Sequence, residues 1–140
     1  MGYHVLPSGR LHLPASDDAA AVVAVKAAWA GLKRPFDPAG WPPDDTLSDI
    51  AWAAAASVTR DGDSIELGHD DEGDPKWSDT STAFYVAIAP FVRSGTVDIE
   101  GEDGATWSYT YGGGKITQDG WNGWDGAIEP FGEPVAFPSE

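Results

Sequence analysis

The sequence predicts an α+β domain, a mostly antiparallel sheet of five or six strands with two or three helices on one face, in the order β-α-α-β-β-α-β-β-β. Three observations predict it. Val97 and Ile99 alternate with Asp98 and Glu100, Asp103-Gly104 marks a turn, and alternation resumes through Trp107, Tyr109 and Tyr111, which is a β-hairpin with one apolar face. Phe84, Ala87, Ile88, Phe91 and Val92 recur at the spacing of an amphipathic helix. The 140 residues are 41% hydrophobic with seven Trp, five Phe and four Tyr, enough apolar material for one core without covalent staples.

The elements follow in order. In residues 9–13, Leu11 and Leu13 alternate with Arg10 and His12, a short strand that Pro14 ends. Ser16-Asp17-Asp18 reads as a helix cap with carboxylates in the first turn, where the helix dipole favours them. Val22, Val25, Trp29 and Leu32 carry that helix to about Leu32, and Lys33-Arg34-Pro35 ends it. Residues 35–45 hold four prolines and Gly40 and read as a connector, tacked to the body by Phe36 and Trp41. Thr46 caps a second helix with Asp49 at the capping-box position, and its stripe is Leu47, Ile50, Ala51 and Ala54. Val58–Arg60, a turn at Asp61-Gly62-Asp63 and Ser64–Leu67 form a second hairpin. His69–Asp74 is an acidic loop. The third helix starts near Ser78 or Asp79, Pro90 is expected to kink or break it, and Gly95 reads as its C-cap. After the hairpin, Gly112-Gly113-Gly114 leads to a last strand around Lys115–Gln118. Residues 1–119 therefore read as one domain and 120–140 as an irregular Gly/Pro/aromatic tail anchored by its aromatics.

Charge narrows the partners. The chain carries −15 at pH 7, of which residues 1–60 hold −1 and residues 61–140 hold −14. Direct binding to nucleic acid or to an anionic membrane is disfavoured, because phosphate contacts need Lys and Arg. A basic partner is favoured. Solubility, GC-rich codon usage or a salt-loving host also raise acidity, but they act on both halves alike. The absence of cysteine excludes thiol chemistry and Cys-zinc sites. No apolar run reaches the ~18 residues of a membrane span, and MGYHVLPSGR lacks a signal-peptide h-region, so a cytoplasmic location in a bacterial host is expected.

Motifs for catalysis are sparse. Glu100, Glu102 and Asp103 around the Gly-Glu-Asp-Gly run could ligate a hard cation or act as a carboxylate pair, but a hairpin turn explains the same residues. His69–Asp74 does not match EF-hand spacing, and His4, His12 and His69 spell out no zinc site. Gly112–Lys115 departs from a phosphate loop, since Ile116 stands where Ser or Thr is needed. No metal or cofactor is expected.

Ala87-Ile88-Ala89-Pro90-Phe91-Val92, then Ser94-Gly95, then Gly101-Glu102-Asp103-Gly104 with Trp107, resembles a group of small actinobacterial and phage-type proteins that share an AIAP-aromatic-V, SG, GEDG-x-x-W layout. Gly2-Tyr3 and Thr46–Ile50 look similar too, so the likeness spans residues 1–120. It implies a phage or mobile-element setting and brings no catalytic residue with it.

Together these point to a small acidic non-catalytic protein that engages a basic protein surface. Its sharpest version is a nucleic-acid mimic that inhibits a nucleic-acid-binding host or defence factor. The expected acidic face comprises Glu66, Asp70, Asp71, Glu72, Asp74, Asp98, Glu100, Glu102 and Asp103, with Trp121 and Trp124 as the alternative interface. The alternative class is a small-ligand-binding or metal-dependent enzyme using the carboxylates of the Gly-Glu-Asp-Gly hairpin.

Overall fold

Alternation along each strand sorts side chains onto two faces, and the helices cover the apolar one. A computed structural model describes residues 3–31, 46–69, 76–77 and 79–120. Their elements are β1 (Tyr3–His12), a 3-10 turn (Ala15–Asp17), α1 (Asp18–Ala30), α2 (Leu47–Ile50) running into a 3-10 turn (Ala51–Ala54), β2 (Ser57–Asp61) and β3 (Ser64–Gly68). Next come β4 (Lys76–Trp77), α3 (Asp79–Ala87), a 3-10 turn (Ala89–Phe91), β5 (Ser94–Gly101), β6 (Thr106–Gly112) and β7 (Lys115–Gly120). The sheet order is β2-β3-β1-β5-β6-β7, with β4 beside the start of β1, and every pairing is antiparallel. The α+β class and the helix-covered face are as the periodicity predicts.

The inner face joins Val97, Ile99, Trp107, Tyr109, Tyr111 and Ile116 to Trp29 of α1, Leu47 and Ile50 of α2, Phe84 and Tyr85 of α3, and Ile88 just after it in one buried cluster. Tyr85 packs edge-on against Phe84 and lies over Tyr109, both at 5.3 Å between ring centroids, and the Tyr111 hydroxyl donates to the Tyr85 carbonyl at 2.8 Å. Phe91 is only half-buried at the margin of this cluster. Pro90 breaks the third helix as expected: α3 stops at Ala87 and the chain continues as the 3-10 turn.

Several local expectations change. β1 spans ten residues, Tyr3–His12, rather than the five of residues 9–13, and carries both Pro7 and Gly9 within it. Among the described residues Pro7 is paired only with Ile99; β3 holds residues 9–12 and β4 residues 3–4, so its missing N–H faces no described strand on the other side. Gly95 is not a helix cap. It lies inside β5 at φ +129°, where a Cβ would sit 2.5 Å from the Arg10 carbonyl oxygen. Gly9 answers it across the ladder, with a Cβ position 2.3 Å from the Thr96 oxygen, so the two central strands approach more closely than any side chain permits. β4 was not anticipated, since two residues are too few to show alternation.

The start of α1 is also built differently. Asp17 is the N-cap without a side-chain hydrogen bond, and the turn begins with Asp17 N donating to the Pro14 oxygen at 2.9 Å. Asp18 works over distance instead: it accepts from Leu47 N at 3.0 Å and pairs with Arg60, which also donates to the Leu13 carbonyl. One half-buried ion pair thus ties the end of β1, α1, α2 and β2. Thr46 caps α2 as expected, accepting from Asp49 N at 3.2 Å. Ala55, at φ +64°, holds the left-handed position that closes the Ala51–Ala54 turn, with Ala56 N donating to the Ala51 oxygen at 3.2 Å. No helix among the described residues is long and apolar enough to cross a membrane.

Candidate functional site

The outer face of the sheet carries the residues that alternate with the core. No described helix lies on it, and the strand registers set its residues in rows. One row runs Ser8, Asp98, Ser108, Asp119 across β1, β5, β6 and β7. The next runs Leu6, Glu100, Thr106. On the other side, Thr59, Glu66, Arg10, Thr96, Thr110 and Thr117 cross six strands. Adjacent strands stand about 4.8 Å apart and same-face neighbours along a strand about 6.5–7 Å apart, so Asp98, Glu100 and Asp119 bracket Ser108 and Thr106.

Hydroxyls and carboxylates alternate here by construction. Ser108 Oγ donates to Asp98 Oδ1 at 2.5 Å, and the Thr96 and Thr110 hydroxyls meet at 3.4 Å. Two basic residues of the face, Arg10 and Lys115, stand away from the Asp98–Glu100–Asp119 group, while Lys76 of β4 takes the register position opposite His4. Arg10 bonds Asp61 at 2.7 Å, and that hydrogen bond with the nearby Asp61 and Glu66 charges raises its pKa further. Lys115 lies at the far end of β6 and β7, paired with Gly112. A depression of about 340 Å³ opens between β1, β5 and β6, lined by Leu6, Ser8, Asp98, Glu100, Thr106 and Ser108 with Ile99 and Trp107 beneath. Leu6 is 46% exposed in it, an apolar side chain on a face otherwise made of hydroxyls and charges.

The expected acidic residues are divided by the fold. Glu66, Asp98 and Glu100 are exposed on the outer face. Glu102 is exposed at the hairpin end but spent on the chain itself. Its N–H donates to the His4 carbonyl at 2.9 Å, while its carboxylate accepts from His4 N at 2.6 Å and approaches the imidazole Nδ1 at 3.2 Å. Asp103 Oδ1 accepts from Ala105 N at 3.1 Å inside the turn. The carboxylates of the Gly-Glu-Asp-Gly run thus build the hairpin and its tether to β1. Asp70, Asp71, Glu72, Asp74, Trp121 and Trp124 lie outside the described residues, although Leu67 pairs with Gly9 and Lys76 with His4, so the chain on either side of the acidic loop is held on β1. Among the described residues no three His, Asp or Glu side chains are grouped to hold a metal ion.

Asp119, Ser8 and Leu6 escaped the sequence reading. Asp119 extends the Lys115, Thr117 alternation by one more step and was legible in principle. Leu6 and Ser8 flank a proline in the half of β1 that did not read as a strand. Comparison with protein-family models, with curated proteins and with solved structures finds no match to this chain.

Proposed function

We propose that this chain is a non-catalytic binding protein whose outer sheet face engages a basic protein surface. The observation that carries the reading is the group Asp98 and Glu100 on β5 with Asp119 on β7, either side of β6 and away from Arg10 and Lys115, in a chain of net −15. A rigid sheet holds these carboxylates at fixed separations, so they add into one negative patch that steers a cationic partner. Their spacing, about 6.5–7 Å along β5, is of the order of phosphate spacing on a nucleic-acid strand. That favours a partner whose own ligand is nucleic acid, and mimicry of that ligand by a phage- or mobile-element-encoded inhibitor of a host or defence factor is the form of function proposed. The engagement of Glu102 by the backbone of β1 and of Asp103 by the turn backbone speaks for binding over carboxylate catalysis at that turn.

The test is affinity capture of basic proteins from lysate at low and high salt, run beside the triple reversal D98K/E100K/D119K. The expected result is a set of cationic, nucleic-acid-binding partners lost both at high salt and with the reversed face. Capture that survives both changes would sink the reading.

A further inference from the structure

We infer that the depression at Leu6 seats one arginine side chain of the basic partner, which rests on the open-face reading above and names its anchor. The pocket combines charge with an exposed apolar side chain. Carboxylates alone would hold any cation, but this depression also exposes Leu6 beside Glu100, its partner across the ladder. An apolar side chain left in water on a polar face offers contact to the aliphatic stem of a long cationic residue, whose head seeks charge. Asp98 and Glu100, one pleat apart on β5, take the head from two sides, and the hydroxyls of Ser8 and Thr106 accept further donors.

Arginine suits this better than lysine. Its guanidinium carries five donors in a planar fork and can meet two separated carboxylates at once, whereas an ammonium is a compact point charge. About 340 Å³ is ample for one such side chain and too small for a folded segment. Arg10, the arginine of this face, is turned to Asp61 and does not line the depression.

The experiment uses the whole chain, isotope-labelled, and follows its backbone amides while titrating Nα-acetyl-arginine amide, its neutral isostere Nα-acetyl-citrulline amide, and Nα-acetyl-lysine amide. Saturable shifts at Leu6, Asp98, Glu100 and Thr106 with the arginine compound, at a Kd on the order of millimolar for so small a ligand, are expected, with none from citrulline. E100Q and L6S should each weaken that binding about threefold or more while leaving amides elsewhere unmoved, because both residues are exposed. An oligo-arginine peptide is the second probe. Shifts from the peptide at Glu66 and Asp119, with no response of the depression to either probe, would overturn the seat while leaving the open-face reading standing. No binding of either probe to the face would overturn both. Equal binding of the arginine and citrulline compounds, or of the arginine and lysine compounds, would overturn the choice of arginine.

Discussion

Within β6, Trp107, Tyr109 and Tyr111 and the residues interleaved with them, Thr106, Ser108 and Thr110, share one backbone and opposite fates. The first three are buried against α3 and the neighbouring strands; the others stand on the open face among carboxylates. The inner set is constrained by shape, since interiors are packed to crystal-like density and each ring has neighbours on every side. The outer set is constrained by little except solubility and whatever it meets. A residue on the inner face therefore reports the fold, and one on the outer face is free to report function.

Breaking that contrast should give effects of very different size. The largest is expected on the inner face: W107A should lose about 3–5 kcal/mol, whereas T106A and T110A on the same strand should stay within about 0.5 kcal/mol, measured by denaturant unfolding. Equal costs would mean the outer face is packed against something. Phe91, half-buried, should cost less on truncation than Trp107.

The glycines of the central ladder come next. G95A places a Cβ against the Arg10 carbonyl and should cost more than about 2 kcal/mol, as should G9A against Thr96. G113A meets nothing within 4 Å, so it should cost only the roughly 1 kcal/mol of a left-handed residue. If all three variants melt together, the close approach of β1 and β5 is not what these glycines serve.

Alkaline pH sharpens the contrast chemically. Burial pushes the hydroxyls of Tyr85 and Tyr111 well above the ordinary tyrosine value of 10.0. A group whose folded pKa is raised contributes stability that is fully present below the unfolded pKa and is lost as pH rises toward the folded one. Stability should therefore hold up to about pH 10 and then fall by about 1.4 kcal/mol per pH unit for each buried tyrosine. In a Y3F background tyrosinate absorbance should appear together with unfolding; tyrosinate that forms in the folded protein there would contradict the burial of Tyr85, Tyr109 and Tyr111.

The smallest effects belong to the outer face and its rim. Removing the carboxylate tether with E102A should loosen the first residues of β1 by under about 1 kcal/mol, read as faster amide exchange at His4 and Val5 without loss of the global melt. Reversing Asp98, Glu100 and Asp119 should leave stability within about 0.5 kcal/mol per site. Raising NaCl from about 10 to about 300 mM should raise the melting temperature of the parent chain more than that of the reversed one, because screening relieves repulsion that the reversal has already reduced. Identical salt responses would mean the acids of this face do not act on one another.

Periodicity by itself determined the class of the fold, the buried set Val97, Ile99, Trp107 and Tyr109, the break at Pro90 and the outward side of Asp98 and Glu100. These follow from spacings of two and 3.6 residues that are written locally. The place of β1 between β3 and β5 was decided only in the tertiary structure. Strand order depends on which edges meet, and two strands separated by some eighty residues leave no local mark of their pairing. That placement sets Leu6 and Ser8 beside Glu100 and Asp98, and makes Gly9 and Gly95 points of close approach. It also draws Glu102 from the acidic face to the backbone of His4, because a carboxylate beside a strand N–H gains a hydrogen bond that the residues around Glu102 do not spell out.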